Sequence, residues 1–236
     1  MDVKHISDLI KQIACDKFPK IERLEYLLHK QNCALDVVRE IGIARNEKFV
    51  IDTANRFTYE NIILWVHGMP FKCIDPQSGN IIPGRLDTGI YLGGTTGSGK
   101  SWTMEIMSAY SLIDNVQVKI GGRMIPLHWE CMRAETICEE YAATGTLKRI
   151  KDIPVLCIQD FGAERTETVH MGNRIDSIRQ LLEHRGDSSG LITHITSNYP
   201  IGKQEALTKR YGDRVVSRLM EMCNYFEIKG KDRRKQ

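Results

Sequence analysis

Residues 93–101 read Gly93-Gly94-Thr95-Thr96-Gly97-Ser98-Gly99-Lys100-Ser101, and this stretch decides the fold. The apolar residues 89–92 before it predict a short strand, and residues 102–110 after it predict a helix. A strand, a glycine turn and a helix N-terminus direct several backbone N–H groups, and the positive end of the helix dipole, towards one point. Residues 94–101 also fit the pattern G-x-x-x-x-G-K-[ST], which predicts a phosphate-binding loop.

The residue types in this loop suit a bound nucleoside triphosphate. Glycines allow the backbone to approach the phosphates and to adopt positive φ angles. Lys100 would reach the β- and γ-phosphates, and the hydroxyl of Ser101 would ligate Mg²⁺. We therefore expect ATP and Mg²⁺ as cofactors, with nucleotide contacts from Gly94, Thr95, Thr96, Gly97, Ser98, Gly99, Lys100, Ser101 and Trp102.

Length and composition allow one α/β domain with a small appendage. The chain has 236 residues, 42% of them hydrophobic and 27% charged, and a net charge of +3 that does not by itself demand nucleic acid. Its seven cysteines form no C-x-x-C pair, which argues against a zinc site or a disulfide framework. Without a signal peptide or an apolar run of membrane-spanning length, we expect a cytoplasmic protein with no membrane contact.

The chain divides into a helical region, residues 1–55, and a larger domain, residues 56–236. The helical region is a candidate module for docking a partner. Its apolar residues form three stripes, each predicting a short helix: Ile6, Leu9, Ile10 and Ile13, with Ser7 as the N-cap; Ile21, Leu24, Leu27 and Leu28; and Leu35, Val38 and Ile41.

The larger domain alternates strands with helices between residues 89 and 198, which is typical of a parallel sheet covered on both faces. Hairpins are predicted over residues 71–82 and, around Gly121-Gly122, over residues 117–125. A strand is expected over residues 127–131, followed by a helix over residues 134–143 that ends near Gly145.

A phosphate-binding loop needs an acidic partner at the end of another buried strand, to hold Mg²⁺ and to polarise the attacking water. Residues 154–160 are an apolar run that ends in the carboxylate of Asp160. The sequence therefore predicts that Asp160 joins Ser101 at the metal and takes part in catalysis.

The segment Gln159-Asp160-Phe161-Gly162-Ala163-Glu164 resembles the D-D-I-G-A-E segment of the DnaC/IstB-type AAA+ ATPases, which are helicase loaders and transposition helper proteins. The resemblance extends from about residue 57 to the C-terminus. Four further segments are similar to motifs of that family, in the same order: residues 173–185, a helix that ends in an arginine; 191–198, the sensor-1 strand; 211–219, the arginine-finger segment; and 226–234, the sensor-2 region.

The resemblance implies roles for residues outside the loop. Asn198 would orient the attacking water, and Arg218 would act as an arginine finger on a nucleotide held by a neighbouring subunit, with Arg214 as its rival. Arg234, or Arg233 beside it, would contact the nucleotide within the same chain. The implied fold is an AAA+ P-loop core, with a parallel sheet flanked by helices, plus the small N-terminal helical region.

The sequence departs from the family at Gln159, because the family strand usually ends in two acids. Either Gln159 replaces the metal-holding carboxylate, or Asp160 takes over the metal while Glu164 or a water relay assists the chemistry. We expect phosphate binding to survive and hydrolysis to be slow and switch-like.

The resemblance implies a helicase loader that assembles with ATP and delivers a ring helicase to single-stranded DNA during replication. A transposition helper that recruits a transposase, and a non-hydrolysing nucleotide-gated adaptor, remain alternatives. A small-molecule kinase fits less well, since no acceptor pocket or arginine-rich lid is evident. Aromatic residues make up only 7% of the chain, so any binding of single-stranded DNA is predicted to be weak and salt-dependent.

Overall fold

The computed structural model describes residues 3–26, 31–113, 115–201, 204–230 and 232–233. The helices of these ranges are α1 (Val3–Lys17), α2 (Gln31–Arg45), α3 (Arg56–Val66), α4 (Lys100–Ile113), α5 (Ala134–Thr144), α6 (Lys148–Lys151), α7 (Ser177–Asp187), α8 (Gln204–Tyr211) and α9 (Asp213–Met222). The strands are β1 (Ile21–Arg23), β2 (Lys72–Ile74), β3 (Ile81–Pro83), β4 (Gly89–Gly94), β5 (Gln117–Ile120), β6 (Arg123–Pro126), β7 (Glu130–Arg133), β8 (Val155–Phe161), β9 (Thr168–His170), β10 (Asn173–Ile175), β11 (Ile192–Ser197) and β12 (Cys223–Ile228).

The main sheet of the described residues has the strand order β3-β2-β12-β4-β11-β8-β7. The run from β12 to β7 is parallel, and β2 and β3 add an antiparallel hairpin at one edge. The strand β4 lies between β11 and β12, and the phosphate-binding loop follows it. The carboxyl ends of the parallel strands therefore lie at the same edge of the sheet as the loop, which is where open α/β sheets bind ligands.

Side chains of the central strands alternate between two cores, one on each face of the sheet. In β4, Ile90 and Leu92 join the core that contains Trp65 and Met104, whereas Tyr91 joins the opposite core. This alternation follows from the two-residue period of a strand. Burial of both faces explains why β8 reads as a nearly continuous apolar run and why every residue of β11 is buried, although its sequence is mixed.

The predicted helix over residues 21–28 is wrong, because residues 21–23 form β1. This strand pairs with β5, and Nη2 of Arg23 donates hydrogen bonds to the carbonyls of Trp65 and Val66, at 2.7 and 2.8 Å. These contacts come from residues far along the chain, so the local apolar stripe could not indicate them. Leu27 and Leu28 lie outside the described residues.

Two other boundaries are corrected. The first helix begins at Val3, so Ser7 lies inside α1 and is not its N-cap. The helix predicted over residues 173–185 begins only at Ser177, because residues 173–175 pair with β9. Asp176 is the N-cap of α7, and its carboxylate accepts a hydrogen bond from the backbone N–H of Arg179 at 3.0 Å.

Most other predicted elements are observed. Both hairpins form, α2 carries the third stripe, and α5 ends at Gly145, whose φ of 72° suits a left-handed C-cap. β1 pairs with β5 and α2 packs against α4, so these parts of residues 1–55 contact the larger domain. The division at residue 55 stays a prediction. None of the described helices has both the length and the apolar character needed to cross a membrane.

Candidate nucleotide-binding site

The loop between β4 and α4 has the backbone that its glycines predict. Gly97 and Gly99 have φ angles of 77° and 97°, which side chains with a Cβ rarely adopt. A Cβ on Gly97 would also overlap the carboxylate of Asp232. The loop therefore keeps an open backbone surface where phosphates are expected.

Lys100 lies at the start of α4 and is nearly buried. Its Nζ atom donates hydrogen bonds to the carbonyls of Gly94 and Thr95, at 2.9 and 2.8 Å, and to Oδ1 of Asn198 at 2.8 Å. Asn198 follows β11, which pairs with β4. The structure thus brings together the lysine of the loop and the predicted sensor residue, which the sequence separates by 98 positions.

A cavity of about 170 Å³ opens beside this contact, on the side where the metal is expected. The predicted residues Lys100, Ser101, Asp160 and Asn198 all line it. The remaining lining residues are Arg45, Thr96, Gly97, Gly99, Trp102, Glu105, Arg133, Gln159 and Arg233.

The donor set of this cavity fits ATP and Mg²⁺. Next to this cavity, the hydroxyl of Ser98 in the same loop is buried, and no described residue forms a hydrogen bond with it. Among the described residues, no three acidic, histidine or cysteine side chains cluster as a metal cage. Mg²⁺ does not need one here, because it is usually held by one or two carboxylates together with phosphate oxygens and water. Ser101 and Asp160 line the same cavity and would hold it from the protein side.

A second cavity, of about 560 Å³, shares Gly99, Trp102 and Arg233 with the first. Its wall is formed by Phe49, Val50, Tyr59 and Trp102, together with Ser98 and Gly99. The apolar wall suits a flat heterocycle attached to the phosphates. Sequence reasoning missed residues 46–50, because a loop between two helices carries no motif that assigns it to the site.

Tyr59 is held as a neutral phenol at the base of this second cavity. Burial raises its pKa to about 12. Its hydroxyl shares a 3.0 Å hydrogen bond with Oγ1 of Thr103, which in turn donates to the carbonyl of Gly99 at 3.1 Å. This chain of hydrogen bonds ties α3 to the phosphate-binding loop.

The C-terminal segment crosses the loop through Arg233. Its backbone N–H donates to the carbonyl of Gly97 at 2.9 Å, and Nη2 pairs with both carboxylate oxygens of Asp52, at 2.9 and 2.8 Å. Burial alone would raise the pKa of Asp52, but the hydrogen bonds from Arg233 and from the backbone lower it. Arg233 lines both cavities. Its neighbour Arg234, the residue predicted for the sensor-2 role, lies outside the described residues.

Gln159 and Asp160 point to different environments at the end of β8. The Gln159 side chain is buried, and Nε2 donates to Oε1 of Glu105 at 3.1 Å and to the carbonyl of Ser101 at 3.4 Å. The Asp160 side chain is half exposed, with its carboxylate 4.0 Å from Nε of Arg133. Asp160 also has a φ of 56°, an unusual backbone for a residue with a Cβ.

Glu164, suggested as an assistant in the chemistry, does not line either cavity. Its carboxylate is completely buried and forms an ion pair with Arg210, 3.1 Å from Nη2, and a short hydrogen bond with the hydroxyl of Tyr211. It also accepts from the backbone N–H of Gly162 at 2.8 Å. With its oxygens used in this way, Glu164 holds α8 against the segment that follows β8.

Arg218 and Arg214 do not line either cavity of their own chain. Arg218 pairs with Asp187 at 2.5 Å and with Glu221 at 2.8 Å, and Arg214 pairs with the other oxygen of Asp187 at 2.8 Å. Hydrogen bonding to Glu221, together with the charge of Asp187, raises the pKa of Arg218. Both arginines are thus separated from Lys100 and Asn198 within one chain.

The fold and the site define a P-loop protein of the α/β class with a mostly parallel sheet. No family model and no curated protein matches the sequence. Among solved structures, the chain is similar to a candidate primosome component from Streptococcus pyogenes serotype M3, with a TM-score of 0.52 and 21% identity over 78% of this chain and 85% of that one.

Two further solved structures are similar. The DnaC helicase loader has a TM-score of 0.49 and 17% identity over 78% of this chain and 94% of that one. AMPPCP-bound DnaA from Aquifex aeolicus has a TM-score of 0.45 and 18% identity over 77% of this chain and 48% of that one. The predicted P-loop α/β core, with helices flanking a mostly parallel sheet, is confirmed, and its assignment to the AAA+ class stays a prediction. The likeness to the primosome component concerns the fold, and it agrees with the resemblance that the motifs carry.

Proposed function

We propose that this chain binds ATP with Mg²⁺ and hydrolyses it slowly, as an AAA+ protein that acts in DNA replication. The observation that carries the proposal is the contact between Lys100 and Asn198 beside the loop, in a cavity that Ser101 and Asp160 also line. A cation, an amide, a hydroxyl and a carboxylate are the groups that phosphoryl transfer to water requires.

Each group has a task that its position suits. Lys100 binds the β- and γ-phosphates and gives up its contacts to the loop carbonyls and to Asn198. The released amide of Asn198 then orients a water molecule towards the γ-phosphate. The carboxylate of Asp160 lines the cavity and would accept a hydrogen bond from that water. Mg²⁺, held from the protein side by Ser101 and Asp160, neutralises the charge that develops on the phosphate oxygens when it is bound.

We propose Arg218 as the residue that completes the site of a neighbouring subunit. Arg218 lines neither cavity of its own chain, which supports an action on a neighbouring subunit. Its guanidinium would leave Asp187 and Glu221 and bind a phosphate of the ATP held by that neighbour. ATP binding would thereby be coupled to self-association. We further propose that the ATP-bound assembly delivers a ring helicase to single-stranded DNA. The ordered motifs and the shared fold with a candidate primosome component support this role.

A second function is favoured by the environment of Gln159. Its amide is buried and donates to Glu105, so no carboxylate of β8 takes the first of the two acidic positions of the family. If hydrolysis requires that carboxylate, the chain binds ATP without hydrolysing it and acts as a nucleotide-gated adaptor for a helicase or a transposase.

ATP turnover, measured against protein concentration with and without single-stranded DNA, separates the two functions. For a working AAA+ ATPase, turnover per subunit rises with concentration and with DNA. For an adaptor, the wild type shows no turnover, and activity appears in Gln159→Asp because that change restores the carboxylate. Salt is varied in parallel, because DNA contacts made by lysines and arginines weaken as salt rises. A DNA effect that is insensitive to salt would contradict the proposed mode of DNA binding.

A further inference from the structure

Glu105 is a carboxylate at the phosphate side of the site that the family motifs do not assign. It follows Ser101 by four residues on α4, so both side chains lie on the same face of the helix. Glu105 and Ser101 line the same cavity of about 170 Å³, together with Asp160. The candidate metal ligand Ser101 therefore has a second acidic neighbour besides Asp160.

Gln159 holds this carboxylate in place. Its side chain is 5% exposed, and Nε2 donates both to Oε1 of Glu105 and to the carbonyl of Ser101. In the family, a carboxylate at this position of the strand would face the metal. This chain has Gln159 there instead, and its amide binds the carboxylate of Glu105 on α4.

Arg45 occupies the other oxygen of Glu105. The last residue of α2, it forms an ion pair with Oε2 of Glu105 and also lines the cavity. Its guanidinium carbon lies 5.4 Å from the centroid of the Trp102 ring. Both partners of the pair are partly exposed, at 40% and 28%, so a second cation in the cavity can reach and compete for the carboxylate.

We propose that Glu105 supplies the carboxylate that β8 lacks towards Mg²⁺, with Gln159 as its positioning residue and Arg45 as the counter-ion that Mg²⁺ replaces. The proposal rests on the proposed ATP site and deepens it. It explains how a Gln at position 159 is compatible with a metal-dependent nucleotide site. It also makes the end of α2 sensitive to the metal, because Arg45 loses its partner when the ion binds.

The test is the effect of Mg²⁺ on nucleotide affinity, which requires no turnover. Fluorescently labelled ADP is titrated into the full chain in excess Mg²⁺ and in EDTA. The quantity compared is the ratio of the affinity in Mg²⁺ to the affinity in EDTA. For Glu105→Gln we expect the ratio to fall by about tenfold, the usual scale for loss of a group that supports a metal. The affinity in EDTA stays at the wild-type value, which also shows that the site is folded. Glu60→Gln, on the exposed face of α3, is the matched control and keeps the wild-type ratio.

Two more variants test the proposed replacement of Arg45 by Mg²⁺ at the carboxylate of Glu105. Arg45→Gln is expected to raise the ratio, because the cation that competes with Mg²⁺ is gone. Gln159→Asp in the Glu105→Gln background is expected to restore the ratio by returning a carboxylate to β8. A purely structural role for either residue would produce neither change.

The proposal is overturned if Glu105→Gln keeps the wild-type ratio, or if it weakens binding equally in Mg²⁺ and in EDTA. In the first case the metal depends on other groups, and in the second Glu105 supports the loop. If the wild type binds no labelled ADP in either condition, the proposed ATP site itself is wrong. That result is distinguishable from a failure of the Glu105 assignment alone.

Discussion

Lys100 is the residue of this site whose contacts a bound nucleotide would change most directly. Lys100 is held by two loop carbonyls and by Asn198, all within 2.9 Å. These contacts satisfy a buried cation when no phosphate is there, and ATP would replace them. The amide of Asn198 is thereby coupled to the occupancy of the site.

The change Asn198→Ala tests this coupling. We expect turnover to fall by about a hundredfold, on the scale of losing one group that positions a reactant, while ATP affinity changes by less than about threefold. Steady-state turnover and equilibrium ATP binding are measured on the same preparation. Asn173→Ala, exposed in the hairpin of β9 and β10, serves as the control. Unchanged turnover in Asn198→Ala would remove Asn198 from the mechanism.

His194 in β11 makes stability depend on pH. Its ring is buried against Trp65 and Trp129, and Nδ1 accepts a hydrogen bond from the backbone N–H of Ile90 at 3.1 Å. Burial, with the nearby charges of Arg23 and Arg185, lowers its pKa from 6.5 to about 3. The unfolded chain therefore binds a proton that the folded chain does not, and stability falls as the pH drops from 6.5 towards 3.

For the wild type, this residue alone is expected to cost about 2 kcal/mol of unfolding free energy at pH 5 relative to pH 7. His194→Asn keeps a hydrogen-bond acceptor for Ile90 but has no group that titrates in this range. Denaturant unfolding at the two pH values should thus show that lowering the pH reduces the unfolding free energy of the variant less than that of the wild type. An equal loss in both proteins would mean that His194 is not the source.

The residues that a motif carries were predictable, and those that reach the site from elsewhere were not. Residues 94–101, Asp160 and Asn198 lie at or directly after the carboxyl ends of β4, β8 and β11, where the motifs place them. Residues 46–50, by contrast, form a cavity wall only after α2 and α3 pack beside α4. Glu105 was hidden for a different reason, because one acid on an amphipathic helix is usually just a solvated residue.

At the scale of elements, hairpins and short helices attach to the sheet through buried polar contacts. The clearest is Glu164, which joins the segment after β8 to Arg210 and Tyr211 at the end of α8. Breaking a buried ion pair by neutralising one partner leaves the other charge without compensation. The hydrogen bonds of Glu164 thus fix the position of α8, and through it α9, which carries Arg218.

Glu164→Gln is expected to lower the unfolding free energy by about 3 kcal/mol, the scale for one lost partner of a buried pair. ATP affinity at conditions where the variant is folded should remain at the wild-type value, because Glu164 does not line either cavity. Denaturant unfolding and ATP binding are compared with those of Glu167→Gln, an exposed residue nearby. A stable variant with lost turnover would restore Glu164 to the chemistry.

Long elements with strong periodicity were predicted well, and three-residue strands were not. The strands β4 and β8 lie within apolar runs, β11 lies within the segment similar to the sensor-1 strand, and α4 and α5 were recognised from their pattern and their glycine boundaries. The strands β1 and β10 exist because β5 and β9 offer partners for pairing. Their residues carry no local signal strong enough to separate a short strand from a helical turn.

At the scale of the whole molecule, the nucleotide site and Arg218 lie apart. If Arg218 acts on the nucleotide of a neighbour, a subunit that lacks its own Arg218 can still hydrolyse ATP when a neighbouring subunit supplies the arginine. A mixture of Lys100→Ala, which lacks a working site, and Arg218→Ala, which lacks a finger, should then recover turnover that neither variant has alone.

We expect each single variant to lose at least about a hundredfold in turnover, and the mixture to regain a measurable part of it. Sedimentation with ATP shows whether the variants still associate. Arg214→Ala replaces Arg218→Ala in the control mixture and identifies which of the two arginines is the finger. Full activity of Arg218→Ala alone would contradict an action in trans.

Whether the loop of residues 94–101 binds ATP is decided by calorimetric titration of ATP into the wild type and into Lys100→Ala. We predict saturable binding of one ATP per chain in the presence of Mg²⁺. Affinity should fall by about a hundredfold or more in Lys100→Ala, since a nearly buried cation on the phosphates is lost. No binding by the folded wild type, or equal affinity in the two proteins, would contradict ATP binding by this loop.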